Sequence, residues 1–125
     1  MKKLTKELLL ERATKKSEEN KYKEYPCEFL GGSLIIKRLP LTQVCDMLDQ
    51  SANASTTDSL NLYKELIYKS VPMFKDEQLI SAYDCIEPYD VVTAVFEDNL
   101  GELTKLAEFI LTLYGLQDVE DEVKN

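Results

Sequence analysis

Apolar positions fall into short, separated stripes, and most of them repeat at helical spacing. Leu4, Leu8 and Leu9 share one helix face and Leu10 widens it. After Ala13 the pattern stops, and "TKKSEENKYKE" holds no large apolar residue before Tyr22. The pattern predicts a helix over 4–19 with a short leucine stripe and a long solvated end. Isolated helices of this length are marginal in water, so the stripe needs a surface to dock on.

A different pattern follows in "YPCEFLGGSLIIKRLPL". Gly31 and Gly32 sit between apolar runs in a chain of four glycines. Gly-Gly in that setting predicts a hairpin turn with φ > 0 at both central residues. Pro26 lacks an N–H, which makes the first strand an edge or ends its pairing early. A phosphate loop needs further glycines, a Lys-Ser/Thr ending and a following helix, and "GGS" has none of these.

From Pro40 onward the period returns to that of a helix. Proline is favoured at the first helical position, and Leu41, Val44, Cys45 and Leu48 form one predicted core-facing stripe. Residues 50–59 read as a mobile loop by composition. Thr57 or Asp58 is the expected cap of the next helix, whose face carries Leu60, Tyr63 and Ile67, broadened by Leu62 and Leu66. Val71-Pro72 ends it, because the residue before proline avoids the helical region. Asp76 is placed to cap a short helix with Leu79, Ile80 and Tyr83. Pro88 is expected as the first residue of another, bearing Val91, Val92, Val95 and Phe96; its spacing favours helix although valine favours strand. After a turn at 97–101, a last helix over about 102–114 carries Leu103, Leu106, Ala107, Ile110 and Leu113/Tyr114, with Gly115 as its stop.

The predicted architecture is mainly α with one short β-hairpin, a compact single domain in the order α-ββ-ααααα. It divides into a basic N-terminal arm (1–23), a helical domain (24–115) with the hairpin near 24–39, and an acidic tail (116–125).

Charge sharpens this division. The arm holds eight Lys/Arg against four Asp/Glu; residues 24–125 hold seven against nineteen. So acidic a body repels phosphate backbones, which excludes nucleic acid as a partner. No apolar run approaches the length that spans a bilayer, which predicts a soluble, intracellular protein with no membrane partner. The three cysteines, Cys27, Cys45 and Cys85, lack CxxC spacing, and there is no histidine. A structural zinc site is therefore not expected, and the cysteines read as small core residues of a reducing compartment.

Chemistry is sparse. Without histidine the commonest general base is missing, and no Ser or Cys sits in a nucleophile motif. Asp84, Glu87 and Asp90 form the best carboxylate cluster, but their spacing fits helix ends better than a calcium loop. The expectation is no enzyme, no metal and no cofactor. Seven tyrosines lean towards a binding protein. Tyr63 and Tyr68, five positions apart, point to different sides of one helix, so both are not expected in one small core.

The chain resembles the XkdN-like tail assembly chaperones of tailed phages and prophages. The resemblance rests on the order of its features: "LTKELLLERATKK", the hairpin and turn "LGGSLIIKRLP", the segment "NLYKELIYKSVPMFKDEQLISAYDCIEPYDVVTAVF" and the closing "GELTKLAEFILTLYG". It implies a non-virion assembly chaperone, working in the host bacterial cytoplasm. The implied partner is the long, largely helical tape measure protein, kept soluble while tube subunits polymerise around it, with the tail tube protein as a further one; a second copy is an alternative surface for the leucine stripe to dock on. Partner-binding positions are expected at Leu4, Leu8, Leu9, Leu10 and Tyr68. Two alternatives stay open. A minor structural tail component would copurify with mature tails, and an acidic inhibitor would array its carboxylates on one face.

Overall fold

Six helices and a two-stranded antiparallel hairpin make up the computed structural model, which describes residues 3–16, 21–50 and 55–116. The order is α1 (Lys6–Lys16), β1 (Tyr22–Cys27), β2 (Gly32–Lys37), α2 (Leu41–Gln50), α3 (Thr56–Ser70), a 3-10 turn (Pro72–Lys75), α4 (Glu77–Ala82), α5 (Asp90–Val95) and α6 (Leu100–Thr112). This is the mainly helical class that the periodicity predicts, with the hairpin in its expected place.

The hairpin turn differs from the predicted one. Cys27 pairs with Gly32, so the connection is the four residues 28–31 and Gly32 already belongs to β2. Only Gly31 takes a positive φ, +78°, and its amide donates to the Cys27 and Glu28 carbonyls. Phe29 is part of this loop, its ring 6.0 Å from that of Phe96. On β2 the pleat buries Leu34 and Ile36 and exposes Ile35.

The helix α3 is the hub, packing against α2, α5, α6 and the 3-10 turn. Its central position buries Leu66, Ile67 and Ser70 completely. It also overturns the expectation for the two tyrosines: Tyr63 and Tyr68 both pack, half-buried, on the core. A helix with neighbours on several sides buries more than one stripe. The α2 stripe is also shifted from the expected one. Val44 and Met47 are buried and Leu48 half-buried, while Leu41 and Cys45 face outward.

Capping accounts for most helix ends. Ser55, not Thr57 or Asp58, caps α3, its Oγ accepting from the Asp58 amide at 3.1 Å. Helix α3 thus starts within the expected loop, of which 51–54 lie outside the described residues. Asp76 caps α4 through the Gln78 and Leu79 amides, as predicted. Asn99 caps α6, which starts two residues earlier than the spacing indicates. Helix α5 begins at Asp90 rather than at Pro88, whose carbonyl accepts from Val91. The chain stops α6 at Gly115 (φ +76°), with Leu116 donating to Leu111 and Gly115 to Thr112. Two further reversals use acids in place of glycine: Asp84 after α4, and Glu97 with Asp98 after α5. The end of the predicted first helix (17–19) and the tail from 117 lie outside the described residues.

Candidate interaction surface

The potentially chemical groups are dispersed into structural duties. Asp84 closes α4 in the left-handed region, and Asp90 opens α5 with its carboxylate 2.5 Å from the Lys64 ammonium on α3. The Glu87 carbonyl accepts from the Asp90 amide, and its side chain is exposed. Among the described residues no three His, Cys, Asp or Glu side chains are grouped to hold a metal ion. A small cleft of about 120 Å³ between α2 and α3 is lined by Met47, Gln50, Asp58, Asn61, Leu62 and Glu65. No described helix is long and apolar enough to cross a membrane.

The cysteines do not form one class, contrary to the core expectation for all three. Cys27, the last residue of β1, is buried, Cys85 is half-buried and Cys45 is exposed. Burial, reinforced by Asp90 and Asp84, pushes the Cys85 thiol above its ordinary pKa. Burial likewise raises Tyr25, with Cys27 and Glu102 adding to it. The basic pair at the hairpin exit has a structural partner: the Arg38 guanidinium lies 5.1 Å above the Tyr114 ring.

What remains uncovered is the leucine stripe. Thr5 starts α1, its hydroxyl accepting from the Leu8 amide at 3.2 Å. Every side chain from Lys3 to Thr14 is exposed, and α1 shares extensive contact with no other described element. Leu4 is 72% exposed, Leu9 53% and Leu10 56%; Leu8 is the least exposed at 40%. Solitary exposed leucines are ordinary on protein surfaces. Leu8, Leu9 and Leu10 on α1, with Leu4 just before its start, form an apolar patch of the kind that marks interaction sites.

Tyr68, the fifth position expected to bind a partner, stands elsewhere. Its ring lies 4.7 Å from Tyr89, and the pair borders the loop between α4 and α5. Beside them, hydrogen bonding to Glu65 holds the Lys69 ammonium above its ordinary pKa, with a smaller contribution from Tyr89. That loop exposes Tyr83, Tyr89 and above all Ile86, which is 95% exposed. Sequence periodicity misses Ile86, because a single apolar residue in a turn has no period. Its signal is an isoleucine between Asp84 and Glu87, two residues before Pro88.

The described residues thus form a small helical body with an exposed apolar arm and no convergent cluster of reactive groups among them. The chain matches the phage XkdN-like tail assembly chaperone protein family over residues 6–125, and it belongs to that family. The family is one of phage tail assembly chaperones and not of enzymes. No curated protein and no solved structure matches the chain.

Proposed function

We propose that this chaperone binds the tape measure protein of its phage and keeps it soluble until tail tube subunits enclose it. One observation supports the reading most directly: the exposed Leu4 ahead of α1 and the exposed Leu8, Leu9 and Leu10 on it, which the described residues of the body leave uncovered. A long, largely helical client exposes apolar stripes of its own before assembly. Helix against helix, with spaced apolar anchors such as the i, i+4 pair Leu4 and Leu8, is a recognition mode that such stripes permit. On this reading 1–23 is the capturing arm, 24–115 the folded body and 116–125 an acidic tail. Tyr68 belongs with the Tyr89 ring to a secondary contact. The site of action is the cytoplasm of the bacterial host, where tails are assembled.

Co-expression tests the proposal. The tape measure protein of the same phage, insoluble alone, becomes soluble and copurifies when this chain is supplied. Leu8→Glu with Leu9→Glu abolishes that rescue while the circular dichroism of the body is unchanged, because both side chains are already exposed. Rescue by the double variant at the wild-type level contradicts the assignment to α1. Absence of rescue by the wild type contradicts the choice of client.

A further inference from the structure

Both ends of the described body are tied to the same turn. The Arg38 amide donates to the Lys21 carbonyl at 2.9 Å, and the next amide, that of Leu39, donates to the Tyr114 hydroxyl at 2.6 Å. The Arg38 guanidinium also lies 5.1 Å from the centre of the Tyr114 ring. Lys21 is where the basic arm joins the body, and Tyr114 stands just before the acidic segment 116–125. Arm and tail therefore leave the body side by side, rooted on two consecutive residues. We propose that the acidic segment 116–125 lies across the leucine face of α1 in the same molecule, as an intramolecular clasp on the arm.

The two segments are complementary in charge and in apolar character. Residues 1–23 hold eight Lys/Arg against four Asp/Glu, and the tail holds Asp118, Glu120, Asp121 and Glu122 against Lys124 alone. Lys6 and Arg12, both exposed on α1, supply cations to those carboxylates. Val119 and Val123, at i and i+4 among the acids, supply apolar side chains for Leu8, Leu9 and Leu10, which the described body leaves exposed. The other exposed apolar surface, the loop bearing Ile86, is no rival for the tail. Its Asp84 and Glu87 would meet the tail's carboxylates with like charge.

Reach permits the contact. The step from Lys21 back to Lys16 spans at most about 17 Å, and the residues after Leu116 at most about 30 Å. Leu10 lies about 9 Å along α1 from Lys16. The tail thus reaches Leu10 even with the arm pointing straight away from the body. Tethering at adjacent roots gives an effective concentration on the order of millimolar, so a contact too weak to hold two molecules together closes within one. The clasp is shallow: it slows exchange of the α1 amides severalfold, far short of the protection that α6 draws from the core. Whatever binds the leucine face has to displace the tail, but the clasp itself does not depend on the choice of client and is tested without one.

Carbodiimide, which joins amines to carboxylates in direct contact, tests the clasp on the full chain. Equal parts of protein with natural and with heavy nitrogen are mixed at about 10 μM, well below the range of weak association, and the linked peptides are weighed. Lys6, the first residue of α1 and the end far from the arm's root, is expected to link to the carboxylates of 118–122 within chains of one isotope. Those links disappear in Leu8→Glu/Leu9→Glu and in about 0.5 M salt. No link to Lys6, links between chains of different isotope, or links that the double variant retains overturn the proposal. Hydrogen exchange gives an independent reading on a full-length variant carrying Asp118→Asn, Glu120→Gln, Asp121→Asn and Glu122→Gln. Its amides at 4–13 should exchange roughly two- to fivefold faster than those of the wild type, with α6 unchanged. Equal rates at 4–13 in the two proteins also overturn it.

Discussion

The Leu39 amide donates a 2.6 Å hydrogen bond to the Tyr114 hydroxyl, joining residues 75 positions apart. It ties the turn after the hairpin to the end of the last helix. The same ring lies beneath the Arg38 guanidinium, so one side chain holds two consecutive residues of the "KRLP" turn. Tyr114→Phe keeps the ring and removes the acceptor, leaving the half-buried Leu39 N–H unpaired. The expected loss is about 1 kcal/mol, since a typical hydrogen bond contributes that much net. Urea unfolding checks it, read as a lower midpoint with an unchanged slope.

Ser70 offers a change in the opposite direction. It lies at the end of the hub helix, fully buried, and its Oγ finds no hydrogen-bond partner among the described residues. An unpaired buried hydroxyl is costly, and alanine removes it while adding helix propensity. Ser70→Ala should therefore stabilise the fold by about 1 kcal/mol. Thermal unfolding measures this as a higher midpoint; a lower one shows that the hydroxyl is satisfied.

Much of the body was legible because proline and glycine punctuate it. Val71-Pro72, Asp76 and Gly115 end or start helices where local backbone chemistry requires, and tertiary contacts do not override them. Other features depended on neighbours that a local pattern does not contain. Ser55, Thr57 and Asp58 are all competent caps, and the choice among them follows from where α3 must begin to reach α2, α5 and α6. Glu97 and Asp98 adopt positive φ without any glycine to announce it. The leucine arm could be read from its period, whereas Ile86 could not, because loop exposure leaves no trace in spacing.

Alkaline pH tests the environment of Tyr25. Its pKa is raised, first by burial and then by Cys27 and Glu102. The folded state thus holds the proton beyond the point at which the unfolded chain releases it. The contribution to stability is complete below the ordinary tyrosine pKa of 10.0 and is lost as pH rises through the higher folded value. Tyr25→Phe keeps the ring contact with Phe109, 5.0 Å away, and has no proton to lose. Between about pH 9 and 11 its stability should fall less steeply than that of the wild type. Identical slopes would place the Tyr25 hydroxyl in water.

The central claim is that α1 is a capturing arm and not part of the body. Hydrogen exchange on dilute protein, without and then with the tape measure protein, tests it residue by residue. In the free monomer, amides of residues 4–13 should exchange rapidly while those of α6 stay protected, and adding the client should slow the α1 amides selectively. Protection of 4–13 in the free monomer equal to that of α6, or no change on adding the client, would contradict the account.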